Sequence, residues 1–289
     1  MAKTANEDHT MSQIDIKQAL FDASAQLKKN TESPELEAQI LVAHTLGKPR
    51  SYLYSWPEKP LSDQHQKALQ ALVDERCTGK PIAYIVGHKE FWSLSLKVTP
   101  DVLIPRPATE SIIEEVLQRL PNKKLAIADL GTGSGAIALA FAHERPNYKI
   151  TAVDINQAAL TVAAENAHSL GIKNIEFLLG DWCGALTNRY DAIVSNPPYI
   201  AKQDPHLSNT DIQFEPYTAL ASGEDGLAAI RQIAKDAKLK LVANGLLALE
   251  HGFEQQADVM KILTKQGYQN ISGHRDSDGL PRFVVSYRD

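Results

Sequence analysis

The sequence predicts an α/β protein, with a mostly parallel sheet covered by helices and a small helical segment ahead of it. Two patterns carry this. From Lys123 onward, short apolar runs of strand character alternate with longer runs of helical spacing, while the first eighty residues show helical spacing alone. A glycine-rich turn, Gly131-Thr132-Gly133-Ser134-Gly135, joins the first strand of the alternating region to the helix after it. At 289 residues the chain exceeds the usual size of one domain, so two are expected.

In the N-terminal part, Asp15 to Lys29 sets Ile16, Ala19, Leu20, Ala23 and Leu27 on one helical face. Ser33-Pro34 reads as an N-cap and first helical residue, opening a helix that runs to about Leu46 before Gly47. A third helix spans Ser62 to Cys77 and stops near Gly79-Lys80-Pro81, and Cys77 reads as a small core residue. Nothing in this part has a catalytic pattern.

The period changes at Pro81. Phe91 to Val98 alternates apolar and polar residues as a strand does, and Val102 to Ile104 offers a second strand across the turn Thr99-Pro100-Asp101. A β-hairpin is therefore expected to bridge the two parts, ended by Pro105-Arg106-Pro107 and followed by a helix over Thr109 to Leu120. Further strands are expected at Leu125–Leu130, Lys149–Asp154, Ile175–Leu179, Tyr190–Ser195 and Gly245–Glu250. Helices are expected between them at Ala136–Ala142, Gln157–Leu170 and Leu227–Leu241. Tyr268–Gly273 and Arg282–Tyr287, joined without a helix, read as a closing antiparallel pair.

Composition narrows the function classes. Apolar residues at 43% and charged residues at 22% describe an ordinary globular protein. A net charge of −5 with no basic arm argues against a protein that lives on nucleic acid. Cys77 and Cys183 lie far apart, which speaks against a disulfide framework and for a reducing compartment. The nine histidines form no H-x-x-x-H pair, so no metal site is expected. No apolar run approaches the ~18 residues of a membrane span. Met1 to Asp15 is polar and acidic, without the apolar core of a signal peptide, so the expected location is the cytoplasm.

The glycine-rich turn leaves main-chain atoms open to a ligand, and the helix behind it offers free N–H groups to an anion. Gly131-Thr-Gly133-Ser-Gly135-Ala136 fits a dinucleotide pattern equally well, and Asp154 at the next strand end suits the ribose of either kind of cofactor. The residues after the next two strands decide between them. Asp181-Trp182 offers an acceptor for an adenine amine and an indole to cover its ring. Asn196-Pro197-Pro198-Tyr199 offers an amide oxygen, a stiff backbone with a free carbonyl, and an aromatic face. Such a clamp suits a flat group bearing an N–H2. Hydride transfer has no use for it, whereas methyl transfer to a planar nitrogen does. An expected mechanism follows: the Asn196 side-chain oxygen and the Pro197 carbonyl accept the two N–H bonds while Tyr199 covers the plane. No strong base is needed, and His251 reads as structural.

These residues resemble the class I S-adenosylmethionine-dependent methyltransferases, and more narrowly the release factor glutamine methyltransferases. The narrower likeness covers nearly the whole chain. It is carried by Phe91-Trp-Ser-Leu94, Val102-Leu-Ile-Pro-Arg-Pro107, Asp204-Pro-His-Leu207, Phe214-Glu-Pro216 and Leu249-Glu-His-Gly252. One departure is Ala108, which stands where the family has an acid in P-R-P-[ED]-T-E, although Glu110 is kept.

The resemblance implies a Rossmann-like, mostly parallel seven-stranded sheet joined by a β-hairpin to a small helical N-terminal domain. The domains would be a substrate-binding one over 1–80, the hairpin linker over 81–107 and the methyltransferase domain over 108–289. S-adenosyl-L-methionine would lie on Gly131, Thr132, Gly133, Ser134, Gly135, Asp154, Asp181, Trp182 and Asn196. The substrate would meet Asn196, Pro197, Pro198, Tyr199 and Arg106, with Asn196, Pro197 and Tyr199 as the catalytic set. Its implied partners are peptide chain release factors, methylated on the glutamine of a Gly-Gly-Gln loop, with no metal, membrane or nucleic acid. A sister family that methylates a ribosomal protein glutamine shares the clamp. Adenine-N6 DNA methyltransferases have a similar one but also need a surface that flips a base out of the duplex.

Overall fold

The computed structural model describes residues 14–208 and 212–289. The polar, acidic stretch at the start of the sequence falls largely outside them. The chain divides into two compact units, Met1–Val86 and Gly87–Asp289.

The first unit is helical, with α1 (Ile16–Leu27), α2 (Pro34–Leu46), α3 (Arg50–Ser55), α4 (Asp63–Cys77) and α5 (Ile82–Val86). The Asp15 carboxylate accepts the Gln18 N–H at 2.8 Å, and the Ser62 hydroxyl accepts that of His65, each satisfying a free donor at a helix start. Leu27, Leu41, Leu53, Leu61 and Val73 form the core. Within it Arg76 is buried, paired with Glu37 at 2.8 Å and donating to the Asn30 carbonyl, so its charge is matched. Cys77 is a correction: it lies exposed at the end of α4, because the helix turns its buried stripe through Leu69, Val73 and Arg76.

The second unit opens with a hairpin, β1 (His88–Phe91) and β2 (Leu94–Lys97), turning at Trp92-Ser93. The expected hairpin was one strand further along. Trp92 and Ser93 both take left-handed φ, 52° and 59°, as a two-residue hairpin turn requires. Neither residue type favours left-handed φ, so the sequence carried no signal for this turn, and Val102–Ile104 forms no strand. A 3-10 turn over Pro107–Thr109 then leads into α6 (Glu110–Arg119).

The sheet is built from β3 (Ala126–Leu130), β4 (Lys149–Asp154), β5 (Ile175–Leu179), β6 (Tyr190–Ser195), β7 (Leu241–Glu250), β8 (Gln269–Arg275) and β9 (Pro281–Tyr287). Its order is β5-β4-β3-β6-β7-β9-β8, parallel from β3 to β7, with β9 antiparallel to both neighbours. The helices are α7 (Ala136–Glu144), α8 (Gln157–Ser169), α9 (Ala228–Lys240) and α10 (Gln256–Lys265). Ile127, Val194, Leu246 and Ala248 pack with α6, α7 and α8 on one face, and Leu130, Ile193, Leu247 and Leu249 with α9 and α10 on the other. Burial of both faces explains why these strands read as continuous apolar runs. The chain passes from β3 outward to β5 and then returns to β6 on the far side of β3. This leaves a crevice beyond the carboxyl ends of β3 and β6, where ligands of such sheets bind.

Candidate active site

A cleft of about 460 Å³ opens at this crevice, within the range of small-molecule sites. Four of the five parallel strands deliver a residue to it at the carboxyl end: Gly131 after β3, Asp154 at the end of β4, Asp181 and Trp182 after β5, and Asn196 after β6. Gly133 and Pro198 line it too.

The glycine-rich loop is held from two directions. The Val153 carbonyl accepts the N–H groups of Gly131 and Thr132, at 2.8 and 2.9 Å. Asp154 then accepts from Gly133 N–H on one oxygen and from Asn156 N–H on the other, both at 2.9 Å. A carboxylate has about four acceptor positions, so Asp154 keeps capacity for a hydroxyl-bearing ligand in the cleft. Gly131 has φ of 71°, which disfavours a side chain, and a Cβ there would sit 3.2 Å from the Trp182 ring and crowd the indole.

Thr132, Ser134 and Gly135 do not line the cleft. The Thr132 hydroxyl turns inward and donates to Asp129 at 2.6 Å, and the Ser134 carbonyl accepts from Asn166 at 2.9 Å. Burial raises the Asp129 carboxyl to about 7, although Thr132 and the Ala138 N–H at the start of α7 both donate to it. These residues shape the loop from beneath.

Asn196 lines the cleft, and its Nδ2 donates to the Thr109 hydroxyl at 3.2 Å. Its Oδ1 is accordingly the atom left for a ligand. Pro197 is buried and Tyr199 half-buried, and neither is among the cleft residues. The Tyr199 carbonyl accepts from Gln255 Nε2 at 2.9 Å, while Gln255 Oε1 accepts the Gly252 N–H. Burial pushes the Tyr199 hydroxyl up to about 12, so it stays a donor, and it faces Glu250 and Arg282. Gly226 runs close beneath this loop: with φ of 75°, a Cβ there would lie 2.3 Å from the Tyr199 oxygen.

Arg106 is outside the cleft lining and forms an ion pair at 2.5 Å with Glu215, whose side chain is almost wholly buried. Glu215 also accepts from the Ile104 N–H, tying the 102–107 segment to the 214–219 segment. His251 is buried with Nδ1 on the Gly252 carbonyl, and burial lowers its pKa, which keeps the ring neutral. Sequence reasoning missed Asp101, Val102 and Leu103, the Pro216–Ala219 wall, and Gln232 of α9, all of which line the cleft. Pro216 and Val102 sat inside stretches already singled out by resemblance; Gln232 carried no signal. Among the described residues, no cluster of His, Cys, Asp and Glu could hold a metal, and no helix is long and apolar enough to cross a membrane.

Residues 18–87 match the PrmC N-terminal domain family, and residues 108–269 the methyltransferase small domain family. Release factor glutamine methyltransferase of Coxiella burnetii is 50% identical over 277 residues, which cover 95% of this chain and 99% of that protein. Its Escherichia coli counterpart is 46% identical over 258 residues, 89% of this chain and 93% of that one. The chain belongs to the release factor glutamine methyltransferase family. A solved methyltransferase from Pyrococcus furiosus shares the fold, with a TM-score of 0.52 at 18% identity, over 68% of this chain and 89% of that one. As a member of this family the chain has a methyltransferase domain whose crevice is the cleft just described.

Proposed function

We propose that this protein transfers a methyl group from S-adenosyl-L-methionine to the side-chain amide nitrogen (N5) of a glutamine in the Gly-Gly-Gln loop of peptide chain release factors. One observation carries the reading beyond family membership: the Asn196 amide stands at the cleft with its nitrogen committed to Thr109 and its oxygen free. An acceptor placed so suits a donor such as the N–H2 of a carboxamide.

The residues present fit the cofactor. Asp154 keeps acceptor capacity for ribose hydroxyls, Trp182 walls the cleft beside Gly131, and Asp181 is exposed at the rim to meet an adenine amine. Bound there, the cofactor supplies a methyl group activated by its sulfonium. The protein's own task is alignment, because a carboxamide nitrogen has its lone pair delocalised into the carbonyl and attacks only when well aimed. Asn196 Oδ1 and the Pro197 carbonyl accept the two N–H bonds of the glutamine. As positive charge develops on nitrogen, these acceptors bind its protons more strongly than in the ground state. Tyr199 fixes the far end of the loop through its carbonyl and its buried hydroxyl. The methylated amide cation sheds its extra proton readily, so no base of high pKa is required.

The experiment is mass spectrometry of purified release factor after incubation with the protein and S-adenosyl-L-methionine. A gain of one methylene on the Gly-Gly-Gln peptide is the expected result. An unmodified release factor, with the methylene gained instead by ribosomal protein or duplex DNA incubated in parallel, would overturn the substrate assignment.

A further inference from the structure

We infer that Gln255 is a positioning residue for the transfer, holding the far end of the Asn196–Tyr199 clamp by its Tyr199 carbonyl. This deepens the function proposed above and rests on it. The clamp is a short arch between two anchors. At its start, Ser195 ends β6, pairs with Leu249 of β7, and donates its hydroxyl to the Leu130 carbonyl at 2.7 Å. Pro197 and Pro198 each have a locked φ, so few soft angles separate that anchor from Tyr199. Where the Tyr199 carbonyl is held therefore sets where the Pro197 carbonyl points.

Gln255 holds it with a side chain whose orientation its partners decide. Nε2 donates to the Tyr199 carbonyl at 2.9 Å, and Oε1 accepts the Gly252 N–H at 2.9 Å. A carbonyl only accepts and a backbone N–H only donates, so the amide fits one way round. Gln255 itself stands on fixed backbone just before α10. Its N–H donates to the Gly252 carbonyl at 2.8 Å, and its carbonyl accepts the N–H of Val259, a core residue, at 3.0 Å. The loops leaving β6 and β7 are thus tied through one amide.

A third segment closes on the same point. A Cβ on Gly226 would lie 2.3 Å from the Tyr199 oxygen and 2.8 Å from Gln255 Nε2. The Asp225 carbonyl is 3.5 Å from that nitrogen, and the Asp225 side chain is fixed by the Leu227 N–H at 3.1 Å and by Arg231. Beyond the clamp, the Ile200 N–H donates to the Leu220 carbonyl and its carbonyl accepts the Ser222 N–H, both at 2.9 Å. Ala221 and Ser222 line the cleft. That pairing begins one residue after the Tyr199 carbonyl, whose donor is Gln255.

The test compares Gln255→Glu and Gln255→Met with the wild-type protein at about pH 8, where a glutamate is ionised. Glutamate keeps the acceptor for Gly252 and removes the donor to Tyr199, while methionine keeps the size and removes both. Three quantities are read: kcat and KM with release factor, cofactor Kd by calorimetry, and the Tyr199 carbonyl signal by NMR. Labelling tyrosine carbonyls with 13C and isoleucine with 15N leaves two linked signals, Tyr84-Ile85 and Tyr199-Ile200, and the first serves as control. Both variants should lower kcat about tenfold or more, the scale of one oriented hydrogen bond, with KM and cofactor Kd within about twofold of wild type. The Tyr199-Ile200 signal should move while the control stays. An unchanged kcat in Gln255→Glu overturns the inference, and so does an unmoved Tyr199 signal. A rise in cofactor Kd in step with the fall in kcat also overturns it, since that would mean a general loosening of the crevice. Should one variant fail to fold, the other decides. If the wild-type protein leaves release factor unmethylated, the proposed function falls, and the Tyr199 signal alone decides whether Gln255 holds the carbonyl.

Discussion

Asp154→Asn separates two duties that one carboxylate performs. In the structure its oxygens accept the Gly133 and Asn156 N–H groups, each at 2.9 Å, and the remaining lone pairs face the cleft. Asparagine keeps one carbonyl oxygen and puts an N–H2 group where the other stood. One backbone N–H then meets a donor instead of an acceptor. Losing that bond costs about 1–3 kcal/mol, which lowers the melting temperature of a unit this size by roughly 2–12 °C. The ligand loses a charge-assisted bond to its ribose as well, worth about 1.5–3 kcal/mol, so the Kd for S-adenosyl-L-methionine should rise roughly 10- to 150-fold. Calorimetry with the cofactor and a thermal melt without it measure the two effects independently. A Kd within about twofold of wild type would refute the placement of a ribose on Asp154, whatever the melt shows.

Asn196→Ala should leave the cofactor Kd largely intact and lower turnover about 10²-fold or more, since it removes an acceptor aimed at developing charge; near-normal turnover would discard its role. Gly226→Ala forces a Cβ to within 2.3 Å of the Tyr199 oxygen at a φ of 75°. It should lower the melting temperature by roughly 2–12 °C and reduce turnover by displacing the loop, and an unaltered melt would show that the two segments are free to part. Asp129 tests pH linkage. Its carboxyl is raised to about 7 by burial, so its favourable contribution is whole below the ordinary carboxylate pKa and is lost as pH rises through 7. The melting temperature of Asp129→Asn relative to wild type should therefore climb between pH 5 and 8 in a fluorimetric melt. A flat difference would mean that Asp129 is ionised throughout.

Sequence legibility followed the range of each interaction. Lys149–Asp154 and Tyr190–Ser195 were read to the residue, because strands buried on both faces need unbroken apolar runs, and the edge strand Ile175–Leu179 was read equally closely from its apolar residues alone. The strand-end residues Gly131, Asp154, Asp181, Trp182 and Asn196 were legible for a related reason: in a parallel sheet every carboxyl end meets at one crevice. The hairpin was misplaced because Trp92-Ser93 adopts a turn that its residue types do not announce. The helix α10 went unread because its two buried residues, Val259 and Leu263, make a single short stripe.

What lies behind the clamp was illegible for a different reason, and it bears on how the site works. Thr109, Asn196, Glu250 and Arg282 come from four segments separated by as much as 173 positions, and each alone has an ordinary local reading. Only folding sets the buried carboxyl against the two hydroxyls and the guanidinium. At the cleft a carboxamide must be told from groups of the same shape that lack two N–H bonds. The asparagine that tells them apart is itself a carboxamide, with the same ambiguity of orientation, and the contact behind it is the Thr109 hydroxyl, 3.2 Å from its Nδ2.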